Sequence, residues 1–241
     1  SITGSKSGYY GATTDPPYPT SAFSPVDIRG SVVAGVLNQK TMVMDQSSDI
    51  TFTTKDPFGT AIPSIDYAIE GGRIIGAEPV TSANVFAFDE SGTTDASGEA
   101  SYPGESSGQY VVSVTAPDHQ FYKLLPESAL ANQFTSTAGV ASDVTAVLLD
   151  ETIGSVLVKV ENSADSSVLA GASVQLSNTT LSYDVTVTTD QYGYAYFPTS
   201  LPELVDENYD IDVTLSGYAD ESATVSVSGA LVNQTIQMTA N

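Results

Sequence analysis

Short runs in which apolar and polar residues alternate recur along most of the chain, and this is the pattern of β-strands with one buried face. The clearest run is NYDIDVTL at residues 208–215, where every second residue is apolar. Turn residues separate such runs at intervals of about eight to twelve positions, which is typical of β-sandwiches. Residues 121–134 (FYKLLPESALANQF) differ, because Pro126 and Glu127 could open a short helix there.

One hairpin pattern occurs twice. Residues 93–100 and 188–195 both read Thr-Thr-Asp-x-x-Gly-x-Ala, with apolar alternation on either side. Asp favours the turn by bonding to its own backbone, and Gly accepts the positive φ that a tight turn needs. Further matches keep the same order along the chain: Ala83 and Val85 with Ala172 and Val174, and Tyr110 with Tyr209. Preserved order with changing loop length predicts two copies of one sandwich.

These patterns predict an all-β protein of two tandem Ig-like β-sandwich domains with an extended N-terminal arm. The predicted bounds are 1–26 for the arm, 27–151 for the first domain and 152–241 for the second. The arm is rich in Pro and Gly and has no hydrophobic period, so it cannot form a core of its own. It must therefore gain order by packing on its own domain or on a neighbouring chain, and both alternatives stay open. The residues expected to make such an inter-subunit contact are Ile2, Tyr9, Tyr10, Tyr18 and Phe23.

The net charge of the chain limits the classes of partner that it can bind. It has 29 Asp and Glu against 7 Lys and Arg, a net charge of −22, which repels nucleic acid and anionic membranes. Adaptation to salty water and a specific acidic binding face both account for such acidity. The chain has no Cys, so it has neither disulfides nor thiolate metal sites. It also has no apolar run of transmembrane length, so we expect no membrane insertion.

The start of the chain bears on its location. It opens at Ser1 without Met, which fits a mature secreted chain whose leader has been removed, although a trimmed chain would begin in the same way. We therefore expect an extracellular or cell-surface protein. Two Asn-x-Thr sequons, at Asn178 and Asn233, would be glycosylation sites in that setting, and in a Thr-rich chain they also arise by chance.

Acidic residues gather at predicted turns, and the densest group contains Asp206, Asp210 and Asp212. Calcium prefers such carboxylate oxygens at loop ends, so these residues are the candidate metal ligands. The group lacks the loop pattern of an EF-hand, and solvated turn carboxylates would look the same.

No set of residues typical of catalysis emerges. The single histidine, His119, falls in a predicted loop, where a triad would need a positioned acid and a nucleophile beside it. Paired carboxylates for glycoside hydrolysis are not distinguishable from the other acids. The chain has no Trp to line a sugar site, and we expect that it is not an enzyme.

The second half of the chain resembles a known family over about 154–241. The residues that carry the resemblance are Gly154-Ser-Val, Leu169-Ala-Gly-Ala-Ser-Val, Thr189-Asp-x-x-Gly193-x-Ala-x-Phe197, Leu201-Pro, Tyr209-x-Ile-x-Val and Gly217-Tyr218. They resemble the carboxypeptidase regulatory-like domain and its relative, the collagen-adhesin B-type repeat. Over about 45–118, Asp49-Ile-Thr-Phe-Thr-x-Lys-Asp-x-Phe-Gly59, Thr94-Asp-x-x-Gly98-x-Ala and Gly108-x-Tyr110-x-Val look like an invasin-type bacterial Ig-like domain. Both resemblances imply β-sandwich modules of secreted or surface proteins, without catalysis.

Adhesin repeats of this kind can carry a Lys–Asn isopeptide crosslink, and the resemblance places its partners at Lys159 and Asn233. The buried acid that assists the crosslink should lie four residues after Tyr209. Val213 stands there instead, so we do not expect the crosslink.

Two classes of function remain. The first is a structural subunit of an extracellular filament or surface assembly, a homopolymer joined by donation of the arm as a strand to the next subunit. The second is an adhesin stalk, or a ligand-binding accessory module of a secreted protein, with a host or cell-surface ligand. A decoration protein on a virus particle would use the same fold.

Overall fold

A computed structural model describes residues 3–13, 24–25, 34–39, 41, 43–78 and 80–241. The described residues form strands, turns and loops without a helix, which confirms the predicted all-β fold of tandem β-sandwiches. The strands are β1 (Thr3–Gly4), β2 (Ala12–Thr13), β3 (Ser24–Pro25), β4 (Ser48–Lys55), β5 (Asp66–Ala77), β6 (Asn84–Thr93), β7 (Glu99–Glu105), β8 (Gly108–Thr115), β9 (His119–Leu125), β10 (Gln133–Ser136), β11 (Ser142–Asp150), β12 (Ser155–Asn162), β13 (Ser173–Asn178), β14 (Tyr183–Thr188), β15 (Tyr194–Phe197), β16 (Asn208–Thr214), β17 (Glu221–Ser226) and β18 (Leu231–Met238).

The chain divides into two compact units. Unit 1 draws on residues up to 147, and unit 2 comprises residues 148–241 together with the short stretches 56–58 and 117–120. The boundary expected between residues 151 and 152 stays a prediction.

Unit 1 contains two facing sheets. One has the strand order β10-β8-β5-β3, with β6 on the other side of β5, and the second has the order β7-β4-β11-β9. Their inward residues alternate with polar ones, as the sequence indicated, and Ile50, Phe52, Ile69 and Tyr110 are fully buried between the sheets.

Unit 2 is built in the same way from fewer strands. Its sheets have the orders β15-β12-β18 and β14-β13-β16-β17. The core lies between Val156 and Val158 on β12 and Leu176, Ile211 and Val213 on the facing sheet, all of them completely buried.

The two strand orders show that the units are copies of one plan. The order β7-β4-β11 in unit 1 corresponds to β15-β12-β18 in unit 2, and β6-β5-β8-β10 corresponds to β14-β13-β16-β17. The predicted match of Ala83 and Val85 with Ala172 and Val174 is therefore wrong. Val174 lies on β13, whose counterpart is β5, whereas Val85 lies on β6, the counterpart of β14.

The repeated hairpin makes the same hydrogen bonds in both units. The Asp190 carboxylate accepts the backbone N–H of Tyr194 at 3.1 Å, and the Asp95 carboxylate accepts that of Glu99 at 2.9 Å. Gly193 has a φ of +77°, and a Cβ there would lie 2.9 Å from the carbonyl oxygen of Val160. Both the conformation and the close approach therefore require glycine.

In each unit a buried tyrosine hydrogen-bonds to the backbone at the same corner of the sandwich. The Tyr209 hydroxyl donates to the Val205 carbonyl at 3.0 Å, and the Tyr110 hydroxyl donates to the Ser106 carbonyl. Each acceptor lies four residues before its tyrosine, which is the tyrosine corner of Ig-like sandwiches. This arrangement explains the predicted match of Tyr110 with Tyr209.

The first and last strands of each sandwich pair in parallel. In unit 1, β4 and β11 pair from Ile50 opposite Ser142 to Lys55 opposite Val147. In unit 2, β12 and β18 pair along their whole length. Because the two strands run in the same direction, the chain enters each unit at one end of its sandwich and leaves at the other.

The helix predicted within residues 121–134 is wrong. This segment contains the end of β9, a turn region and the start of β10, with Leu124 and Phe134 buried in the core of unit 1. Its apolar residues contact the sandwich from two separate strands, and tertiary packing overrides the local helical preference.

Candidate functional site

The described parts of the N-terminal arm lie on unit 1 of their own chain. The backbone N–H of Tyr10 donates to the carbonyl of Asp45 at 2.8 Å, and that of Ser47 donates to the carbonyl of Gly8 at 3.0 Å. The Tyr9 side chain is 36% exposed. The arm residues Ile2, Tyr18 and Phe23 lie outside the described residues, so their predicted contacts stay predictions.

The arm also adds a short strand to a sheet. Within the arm, β1 and β2 pair with each other, and β3 pairs antiparallel with β5, where Ser24 lies opposite Ala77 and Pro25 opposite Gly76. These described contacts include backbone hydrogen bonds worth about 1 kcal/mol each.

Among the described strands, the equivalent strands β6 and β14 are both sheet edges, and they differ in one informative position. In unit 1, Glu90 of β6 lies opposite the fully buried Ile69 of β5, so it occupies the core-side face of an edge strand. In unit 2, Val185 of β14 lies opposite the fully buried Leu176 of β13. A charge on the inward face of an edge opposes the addition of another strand, because the added strand would bury it.

Aromatic residues pack against one another beside β6 in unit 1. The Phe88 and Tyr102 rings meet edge to face with their centroids 5.0 Å apart, and the hydroxyls of Tyr67 and Tyr102 are hydrogen-bonded. Burial and the bond to Tyr67 raise the pKa of Tyr102. Burial, together with the nearby Glu90 carboxylate, raises the pKa of Glu105.

An open groove lies beside β14 in unit 2. A cavity of about 300 Å³ lies between β14 and the loop that follows β15. Its walls include Leu181, Leu201 and Val205, whose side chains are 38%, 64% and 56% exposed. The groove is therefore mostly apolar, with the charged Glu203 in its lining, and it is open to solvent. Among the described strands, β14 beside it pairs on one side only, with β13.

Tyr183 marks the inner end of this groove. Its ring meets that of Tyr209 edge to face, with centroids 5.6 Å apart, as the Phe88 ring meets Tyr110 in unit 1. The Tyr183 hydroxyl is buried and has no hydrogen-bond partner among the described residues. Burial raises the pKa of Tyr183 to about 12.

The predicted metal ligands do not converge. Asp210 and Asp212 lie on the solvent-facing side of β16, Asp210 accepts a hydrogen bond from Thr224, and Asp206 is exposed in the loop before that strand. Within the part of the chain that the structure describes, no three His, Cys, Asp or Glu side chains are grouped so that they could hold a metal ion. Calcium binding stays a prediction that these positions do not support.

Both sequon side chains are engaged in hydrogen bonds. The Asn178 amide donates to the Asn208 carbonyl at 2.8 Å, and the exposed Asn233 amide on β18 donates to the Gln120 side chain at 2.9 Å. Asn178 is the last residue of β13 and directly precedes a turn. Glycosylation at either position stays a prediction.

Two other side chains named from the sequence have structural partners. His119, predicted in a loop, is the first residue of β9, and its ring lies 2.9 Å from the carbonyl of Pro117 in the turn before that strand. Lys159 forms an ion pair with Glu161, and their hydrogen bond raises the pKa of Lys159 and lowers that of Glu161. Val213 is fully buried at the position where the resemblance places the assisting acid, and the absence of a crosslink stays an expectation.

Comparison with known proteins gives only distant similarity. No protein-family model and no curated protein matches the chain. Among solved structures, GBS52, a minor pilin of the Gram-positive pathogen Streptococcus agalactiae, is 14% identical over 81% of this chain and 97% of that protein, with a TM-score of 0.31. The shaft pilin SpaA from Lactobacillus rhamnosus GG is 11% identical over 82% of this chain and 98% of that protein, with a TM-score of 0.28.

The TIE protein of Bacillus anthracis is 14% identical over 81% of this chain, with a TM-score of 0.31, and this chain spans 34% of that protein. At these TM-scores the similarity does not decide the function. The part of the chain that the structure describes contains no helix with the length and apolarity that crossing a membrane requires.

Proposed function

We propose that this protein is a structural subunit of an extracellular filament or surface assembly, and that it transmits tension along its chain. The observation that carries the proposal is the parallel pairing of the first and last strands in both units. A pull on the two ends of either unit slides these strands past each other instead of peeling them apart. The backbone hydrogen bonds of the pair then resist together, each contributing about 1 kcal/mol.

The copies join through the N-terminal arm, which adds a strand to the neighbouring subunit. Lys6 and Asp15 are the only charged side chains of residues 1–26, so the arm is neutral and the rest of the chain carries the whole charge of −22. Two such bodies repel each other, whereas a neutral arm rich in Tyr and Pro approaches an acidic body at little electrostatic cost. In this proposal the polymer is built from copies of one chain.

Single-molecule force spectroscopy tests whether unit 2 resists tension. The chain has no Cys, so introduced cysteines are unique attachment points. Pulling unit 2 through cysteines at Thr152 and Asn241 loads β12 and β18 in shear, whereas pulling through Ala164 and Asn241 peels them from one end. We expect a severalfold higher unfolding force in shear. Equal forces in the two geometries would refute a mechanical role.

Deletion of residues 1–26 tests whether the arm joins the subunits. We expect the intact chain to form polymers that are visible by electron microscopy, and the shortened chain to stay monomeric while its thermal unfolding is retained. Polymers of unchanged appearance from the shortened chain would reject the role of the arm.

The open groove of unit 2 favours a second candidate, a ligand-binding module or adhesin stalk with a host or cell-surface ligand. This alternative predicts a monomer at all concentrations and saturable binding of a ligand. Light scattering on the purified chain separates the two candidates.

A further inference from the structure

We propose that the acceptor for the arm of a second copy is the edge strand β14 of unit 2, together with the apolar groove beside it. The arm would pair with the outer edge of β14, and its apolar side chains would fill the groove between β14 and residues 198–205. This inference rests on the proposed function, because it names where an arm given to a neighbour is received.

The difference between the two copies of the sandwich selects β14 over β6. Both strands are sheet edges at the same place in the plan. On β6 the core-side face carries Glu90, which an added strand would have to desolvate. On β14 the equivalent position is Val185, and Val187 follows on the same face. The edge of unit 2 therefore lacks the charge that protects its counterpart.

The groove beside β14 supplies the apolar contact that strand addition needs for affinity and selectivity. The exposed side chains of Leu181, Leu201 and Val205 border this groove. An added strand would remove this apolar surface from water, which favours the complex.

Charge identifies the arm as the occupant. Two β14 edges could also pair with each other, but this would bring two bodies of charge −22 side by side. The neutral arm avoids most of this repulsion. The described arm makes backbone pairings with unit 1, such as Tyr10 with Asp45, and its transfer to another copy would exchange these for pairings with β14.

The test places a charge on each face of the same strand in the full chain. Val185→Glu copies the arrangement of Glu90 on the core-side face, and Thr186→Glu adds the same charge to the solvent-facing side of β14 as a matched control. Leu201→Glu, at a side chain that is 64% exposed, alters the opposite wall of the groove without disturbing the core. The readouts are sedimentation velocity of the purified chains and fluorescence anisotropy of a labelled peptide of residues 1–26.

We expect Val185→Glu and Leu201→Glu to weaken assembly and peptide binding about tenfold or more, because each puts an unpaired carboxylate in the buried contact. Thr186→Glu should change both by much less. If Val185→Glu loses its cooperative thermal unfolding, Leu201→Glu decides the matter alone.

Two other results distinguish failure of the β14 acceptor from failure of the proposed function. If the intact chain assembles, the chain without residues 1–26 does not, and the groove variants assemble like Thr186→Glu, then β14 is not the acceptor and the proposed function stands. If the intact chain stays monomeric at every concentration and the peptide binds nowhere, both the acceptor and the polymer are refuted.

Discussion

The tyrosine pair at the inner end of the unit 2 groove allows a sharp test of the structure. Tyr183 and Tyr209 lie edge to face within one environment, yet their hydroxyls differ. The Tyr209 hydroxyl donates to the Val205 carbonyl at 3.0 Å, whereas the Tyr183 hydroxyl is buried without a partner among the described residues. The same substitution, Tyr→Phe, should therefore have opposite effects at the two positions.

The expected magnitudes follow from the hydrogen bonds. Tyr209→Phe removes one hydrogen bond and leaves a carbonyl without its donor, which should lower the free energy of unfolding of unit 2 by about 1 kcal/mol. Tyr183→Phe removes a hydroxyl that gains nothing from burial, so it should leave the free energy of unfolding unchanged or raise it by up to about 1 kcal/mol. Each variant is the other's control, since ring, location and size of change are matched.

Urea denaturation followed by circular dichroism measures the difference. With a typical slope of about 2 kcal/mol per molar urea, a loss of 1 kcal/mol moves the midpoint down by about 0.5 M. Tyr183→Phe should not move the midpoint down at all. If Tyr183→Phe destabilises unit 2 as much as Tyr209→Phe does, the Tyr183 hydroxyl has a partner and our description of the inner groove is wrong.

Three further predictions concern the turn, the alkaline limit and the charge. Gly193→Ala should destabilise unit 2 by about 1–3 kcal/mol in urea denaturation, more than Gly171→Ala, because both have positive φ but only at Gly193 would the Cβ meet backbone, at the Val160 carbonyl; equal losses would refute the role of the close contact. Burial raises the pKa of Tyr110 and of Tyr183 to about 12, against about 10 in the unfolded chain. Their contribution to the free energy of unfolding should therefore be complete below pH 10 and lost as the pH rises towards 12, so phenolate absorbance should increase together with unfolding. Ionisation of these tyrosines well before unfolding would contradict this. Added salt should raise the midpoint of thermal unfolding because it screens the self-repulsion of a chain with net charge −22, and a midpoint that falls with salt would count against it.

Local patterns in the sequence predicted the fold correctly where a few neighbouring residues are typical of a single structure. The Asp95 and Asp190 turns, with Gly98 and Gly193, were recognisable because the turn chemistry depends on few residues that lie close together in the chain. The match of Tyr110 with Tyr209 followed from their order along the chain, and the structure gives its cause in the corner hydrogen bond.

The errors arose where a pattern is shared by several structures. Val85 and Val174 both lie in alternating runs, and alternation alone does not tell an edge strand from the strand beside it. The apolar residues Leu124 and Phe134 have helix-compatible neighbours, but they enter the core from two strands.

The candidate acceptor was not foreseeable from sequence for a related reason. The contrast between Glu90 and Val185 has meaning only once β6 and β14 are known to be equivalent edges. That equivalence depends on pairing between distant parts of the chain, such as Ile69 with Glu90 and Leu176 with Val185. The sequence does show an acid, Glu90, within an alternating run. The local pattern does not show which face of that strand points to the core.

The parallel pairing of β4 with β11 and of β12 with β18 also has a consequence for biogenesis. A unit whose opening strand pairs with its closing strand cannot complete its fold during synthesis until the closing residues have emerged. Those residues are Ser142–Asp150 in unit 1 and Leu231–Met238 in unit 2. Unit 1 can therefore complete its fold while β18 is still being synthesised, whereas unit 2 folds only after β18 has emerged.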